Sequence, residues 1–410
     1  MSQVSFYLRR LLRKMWFLPA VFSALAVLTI LAAFYLARWA PEELPFTITQ
    51  QAVQSILEIL ATSLLTVSVF ALSTLVAALS SASASTTPRA AQLIVGDRSA
   101  QTSISLFIGA FLFSILAILG LSAGIYGSAS RMLLFSVTLG VVALVVVALI
   151  RWIAQISDIG RVGHTIDRVE TATAHALRTL EEHPLFDCRL LEGEPEGVPV
   201  STDKLGYIQH FDAKRLQTLA VEHDLQIAVT ARPGSYVSAA RPLMMVEGEL
   251  NDKLTAELIR AFVVGGQRSF DSDPRFGLVV LAEIADRALS PGVNDPGTAI
   301  DVIGTLTRLL SSWQPSTPTD PENDRVVVPP LAPQDLLEDA FRPIARDGAG
   351  IIEVVLRLLH SLEIVAELNP ELRKAALTTA RDAAGRAQQT LKAPGDLHAL
   401  HAAAHFTQSA

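Results

Sequence analysis

Residues 132–152 read MLLFSVTLGVVALVVVALIRW: no side chain is charged from Met132 to Ile150, and Arg151 and Trp152 close the run. At about 1.5 Å rise per residue a helix of that length covers roughly 30 Å, the depth of bilayer hydrocarbon. The same texture recurs earlier over about 16–37, 53–79 and 104–126, each run bounded by charge or turn residues. The sequence therefore predicts an α-helical membrane protein with four transmembrane helices in residues 1–155. Arg9, Arg10, Arg13 and Lys14 before the first run would also suit a secretory signal. That run is too long for one, and its exit, Arg38-Trp-Ala-Pro41, is not a small-residue cleavage site, so it reads as an anchor. Trp16 and Phe17 at one end and Tyr35 and Trp39 at the other suit aromatic belts. The loop Gly127–Arg131 is short enough to make the third and fourth spans an antiparallel hairpin.

Working outward, half of the 410 residues are apolar, more than one soluble core requires. Residues 1–155 hold 9 Lys+Arg against 4 Asp+Glu, a net of +5, and the remainder 24 against 36, a net of −12, together the chain's −7. The acidic remainder argues against nucleic acid as a partner. Cys188 is the sole cysteine, so the chain forms no internal disulfide and carries no cysteine metal motif. Arg9, Arg10, Arg13, Lys14, Arg89, Arg98 and Arg151 fall on one side of the four spans, with Arg38 and Arg131 on the other. The positive-inside rule then puts both termini in the cytoplasm of a bacterial inner membrane.

Two features inside the spans are candidates for function. Ser55, Glu58, Thr62, Thr66, Ser73 and Ser80 fall on one stripe of a helical wheel through the second span. An ionisable Glu58 is costly against lipid, so the stripe is expected to face protein or water, and a homo-oligomer would set it around a pore. The competing reading is that the hydroxyls bond back to their own helix and pack against neighbours. In the third span, Gly120 and Gly124 form a G-x-x-x-G pattern suited to close helix packing.

Beyond the spans the sequence predicts a cytoplasmic α+β domain containing a small β module and a helical bundle. Charged, helix-patterned residues 156–186 suggest a stalk ending before His183-Pro184. Residues 187–250 read as the β module, with runs at 204–208, 226–230, 234–237 and 242–246. Within it, Arg232-Pro-Gly-Ser-Tyr-Val-Ser-Ala-Ala-Arg-Pro-Leu243 resembles a turn of the barrel-sandwich modules in biotinyl and lipoyl carriers, which implies geometry only. Residues 251–310 read as helices interrupted at Ser290-Pro-Gly-Val-Asn-Asp-Pro-Gly-Thr298. There Asp295 ahead of Pro296 suits a helix cap, while Arg287, Asn294, Asp295, Thr298 and Asp301 are candidates to hold a small anion or polar headgroup. Residues 311–333 read as a Pro-rich loop with a strand-like Val326-Val-Val328, and 334–410 as C-terminal helices. His398, His401 and His405 share a helix face, but with no carboxylate or cysteine in the set neither a metal nor another cofactor is expected.

Two strings carry a family resemblance: Arg268-Ser-Phe-Asp-Ser-Asp-Pro-Arg-Phe-Gly-Leu278 and Ala288-Leu-Ser-Pro-Gly-Val-Asn-Asp-Pro-Gly-Thr-Ala299. Tyr207-Ile-Gln-His-Phe-Asp212, Glu222-His-Asp224, and Pro88-Arg89 with Asp97 and Gln101 accompany them. Together they resemble the bacterial predicted membrane proteins grouped as domain of unknown function 2254. The resemblance implies a membrane protein with a cytoplasmic domain and no assigned activity. Nucleotide-binding, hydrolase and zinc-protease signatures are lacking in suitable contexts, so an enzyme is not expected. A homo-oligomeric channel or transporter, a membrane-anchored scaffold or sensor with a cytoplasmic protein or small-anion partner, and an unfamiliar enzyme at the Asn294-Asp295 turn are the readings carried forward.

Overall fold

The computed structural model describes residues 12, 14, 16–36, 49–95, 98–124, 126, 128–156, 161–314 and 320–408. Arg9, Arg10, Arg13, Arg38, Trp39, Asp97 and the start of the expected stalk at 157–160 lie outside them. The chain forms two compact units, Leu8–His164 and Thr165–Ala410.

The first unit is helical: α1 (Phe17–Leu36), α2 (Gln50–Ser85), the short α3 (Pro88–Val95), α4 (Arg98–Ser122) and α5 (Ser128–Ile156). Three of these contain segments long and apolar enough to cross a membrane, namely Gln50–Ser81, Gln101–Ser122 and Arg131–Gln155. In α1 the apolar stretch, Phe17–Ala32, is shorter. α4 packs against α1, α2 and α5 and is the most buried of them. Its Phe107, Phe113, Ala117 and Leu121 interlock with Leu57 and Leu64 of α2 and Leu134 of α5. The outer faces of α2 and α5 expose Ile59, Leu65, Phe70, Leu144, Val147 and Ile150. Such a surface would aggregate in water but is the natural boundary with lipid, where helices satisfy their own backbone polar groups.

The G-x-x-x-G pattern acts differently from the expectation. The close helix approach occurs at Gly109, where a Cβ would sit 3.0 Å from the Phe22 Cβ of α1. Gly120 instead makes room for Tyr126, whose ring a Cβ would meet at 2.5 Å, and Gly124 lies in the turn after α4 at φ +69. Tyr126 thus folds back on α4 rather than extending it.

The second unit is the α+β region. α6 (Val162–Glu182) stops before His183-Pro184, as its sequence suggested. It is a packed element rather than a free stalk, burying Ile166, Val169, Thr173, Ala176, Leu177 and Leu180 at helical spacing. A five-stranded sheet has the order β1 (Cys188–Leu190), β8 (Asn323–Val328), β4 (Gln226–Val229), β6 (Met244–Glu247), β2 (Val198–Val200). A three-stranded antiparallel sheet places β3 (Gly206–Phe211) between β5 (Tyr236–Val237) and β7 (Phe262–Gly265). Helices α7 (Ala213–Glu222) and α8 (Asp252–Arg260) complete this core.

Two elements differ from the sequence reading. Residues 323–328 are a strand inside the sheet, parallel to both β1 and β4, rather than part of a loop. Val326 and Val328 are fully buried on one face, so strand alternation prevails over the flanking prolines. The module is therefore completed from about a hundred residues further on, and β7 joins it from the region read as purely helical. The segment resembling a barrel-sandwich turn links the two sheets, because β5 pairs with β3 while β6 pairs with β4 and β2.

The rest is a helical bundle of α9 (Pro274–Leu289), α10 (Pro296–Ser312), α11 (Pro333–Asp347), α12 (Ile352–Leu368), α13 (Arg373–Thr390) and α14 (Pro394–Ala403). α9 packs between α10 and α11, and α12 between α10 and α13. Buried Asn369 ties the end of α12 to α10, donating to the carbonyls of Leu310 (2.9 Å) and Trp313 (2.6 Å).

Candidate functional site

Three places come into question. On α2, Ser55, Glu58, Thr62, Thr66, Ser73 and Ser80 are all exposed, so the polar stripe is turned outward from its own unit. The Thr62 hydroxyl donates to the Glu58 carbonyl (2.9 Å) and that of Thr66 to the Thr62 carbonyl (3.1 Å). These threonines are satisfied within the helix and present oxygen lone pairs outward. The Glu58 carboxylate accepts from Gln54 one turn earlier (2.9 Å) and forms no ion pair among the described residues.

The Ser290–Thr298 turn has the geometry of a helix cap. The Asp295 carboxylate accepts the Thr298 amide at 3.1 Å and the Thr298 hydroxyl at 2.7 Å, with Pro296 at the first helical position. These bonds hold the Asp295 carboxyl below its usual range. Asn294 adopts φ +50, and Arg287, Asn294, Asp295 and Asp301 are exposed. An anion arriving at this helix start would meet a carboxylate already bound to it, so the geometry favours the cap over an anion site.

The third place was not singled out from sequence as a site, although half of it lies in the quoted Arg268–Leu278 string. Asp273 is 2 % exposed and caps α9, accepting the Phe276 amide at 3.2 Å. The Arg268 guanidinium binds it with two parallel bonds, Nε to Oδ2 at 2.7 Å and Nη2 to Oδ1 at 3.0 Å. Burial pushes the Asp273 carboxyl up, and the bonds from Arg268 oppose that shift. Arg275, the second residue of the same helix, bridges to Asp335 (2.5 Å) and Asp339 (2.6 Å) of α11. From the β4–β5 connection, Arg232 donates to the Pro329 carbonyl at 2.6 Å and lies over the Phe186 ring at 5.3 Å. Gly234 makes the convergence feasible: at φ +93, its missing Cβ would stand 2.3 Å from Asp273 Oδ2. A cleft of about 290 Å³ opens between these elements and the 329–332 wall. The signal in the sequence was the Asp-Pro-Arg at 273–275, the same cap pattern that was recognised at Asp295-Pro296.

Apolar helices of membrane-crossing length and a separate α+β unit in one chain define a membrane protein with a substantial non-membrane part. The chain belongs to the family described as "Predicted membrane protein (DUF2254)", whose profile matches residues 13–363. Uncharacterized proteins of Mycobacterium bovis and of Mycobacterium tuberculosis strain H37Rv are each 29% identical over 197 residues, which is 45% of this chain and 38% of theirs. The match thus spans well under half the length of these curated relatives. No solved structure matches the chain.

Proposed function

We propose that the protein is a homo-oligomer of a bacterial inner membrane that crosses it four times, with both termini cytoplasmic, and that copies meet along the polar face of α2 around a path for a cation. The outward direction of that face is the observation that carries the reading. A carboxylate at Glu58 directed into lipid is costly, and a water-lined axis shared between copies removes the cost. The available lone pairs of Thr62 and Thr66 suit a cation better than an anion. At 20 residues and about 1.5 Å each, α1 reaches roughly across the hydrocarbon and supplies the fourth crossing. The acidic α+β unit then lies in the cytoplasm, where it regulates or assembles the complex.

The arrangement is tested by replacing Thr66 with cysteine in a Cys188→Ser background and oxidising the full-length protein in membranes. Cross-linked dimers are expected from Thr66→Cys and not from Leu144→Cys on the outer face of α5. Equal cross-linking at both positions, or none at Thr66→Cys, would refute the shared axis.

A further inference from the structure

The geometry points to a second site, independent of the α2 path: we infer that the cleft beside Arg232 holds a small oxyanion, a carboxylate or phosphate group gripped by that guanidinium. Its lining brings together Arg232, Arg268 and Arg275 against Asp273 and Asp335. Two of the three cations are already matched. Arg268 is bound through both carboxylate oxygens of Asp273, and Arg275 is shared between Asp335 and Asp339. Arg232 is the exception. Among the described residues it forms no ion pair, and its hydrogen bond runs from Nη1 to a neutral carbonyl, that of Pro329.

A guanidinium offers five N–H donors in a planar fork, so most of this capacity remains for a ligand. The charge is also poorly solvated: burial pushes the Arg232 guanidinium down to about 10, the Asp273 carboxylate opposes that shift in part, and neighbouring Arg275 adds to it. A secluded cation whose neighbouring carboxylate, Asp273, is already held through both oxygens by Arg268 is costly, and an oxyanion supplies a charge of its own together with two acceptors spaced for the fork.

The cleft also restricts what enters. About 290 Å³ accommodates a phosphate or short carboxylate with its water but is at the lower limit for larger ligands. The Phe186 ring lies against the guanidinium at 5.3 Å, and the hydrogen bond to the Pro329 carbonyl holds one of its nitrogens. The fork is thereby partly held before a ligand arrives, which lowers the ordering cost of binding.

The test is isothermal titration of the full-length protein in detergent with sodium phosphate and, separately, sodium acetate, each against sodium chloride at equal ionic strength. Saturable binding of phosphate or acetate is expected, with none for chloride, and the responding anion identifies the group recognised. Arg232→Gln should weaken that binding at least tenfold, while Arg287→Gln at the exposed cap turn leaves it unchanged. Should Arg232→Gln fail to fold, Arg232→Lys serves in its place: it keeps the charge, loses the fork and should weaken binding at least threefold. Absence of saturable binding by both oxyanions, unchanged affinity in the Arg232 variant, or equal weakening by Arg287→Gln would overturn the site.

Discussion

Replacing Asp273 by alanine is expected to destabilise the α+β unit by about 3–5 kcal/mol, the usual result of deleting one member of a buried ion pair. The loss has three sources. Arg268, 20% exposed at its side chain, keeps its charge and loses both acceptors. α9 loses the cap on its Phe276 amide, worth about 1 kcal/mol. Arg232 and Arg275 lose the carboxylate that offsets their mutual repulsion. Asp273→Asn retains a cap acceptor but no charge, so it should recover about 1 kcal/mol of the alanine loss. Denaturant unfolding of the full-length protein in detergent, followed by circular dichroism, measures both. A loss below about 1 kcal/mol for Asp273→Ala would show that the pair contributes little to stability.

Gly277→Leu is the second large effect, expected at about 3 kcal/mol from overpacking. α6 and α9 touch at this position: a Cβ on Gly277 would lie 1.9 Å from Thr173 Oγ1 and 2.8 Å from Thr173 Cβ. Thr173 cannot easily give way, because it is buried and its hydroxyl donates to the Val169 carbonyl at 2.6 Å. α6 is held as well by the two-pronged pair of Glu170 with Arg308 on α10, at 2.8 and 2.7 Å. Gly277→Ala meets the same obstacle with less volume and regains about 1 kcal/mol of helix propensity, so its loss should be smaller. Gly385→Ala in α13 is the control: nothing lies within 4 Å of the added Cβ, and a slight gain is expected. If Gly277→Leu unfolded at the same denaturant concentration as the parent, α6 would not be packed on α9 as described.

The three helical segments of membrane-crossing length, Gln50–Ser81, Gln101–Ser122 and Arg131–Gln155, were legible because their signal is local: an uncharged run either covers the bilayer or it does not. Their ends were less so. α4 begins at Arg98, ahead of the apolar run, and Tyr126 turns back onto Gly120, a contact that no hydropathy pattern encodes. Short strands such as 226–229 and 244–247 were visible from β-branched residues and glycine breaks. The membership of β8 was not, since its partners are about a hundred residues away and proline-rich flanks obscured the Val326–Val328 alternation.

For candidate sites the division is similar. The Asp295 cap is local and could be read directly. The outward direction of the α2 stripe could not, because a wheel groups residues on one face without saying what that face meets. The arginine cleft depends on three separated segments, 232–235, 268–275 and 329–335, that only the fold brings together.

Cation flux into liposomes carrying the purified full-length protein tests the proposed path most directly. Flux well above that of empty liposomes is expected, reduced at least tenfold by Glu58→Gln, which removes the charge, and by Thr66→Leu, which fills the axis with carbon. Flux no greater than that of empty liposomes, or equal rates for the parent and both variants, would contradict a path along the polar face of α2.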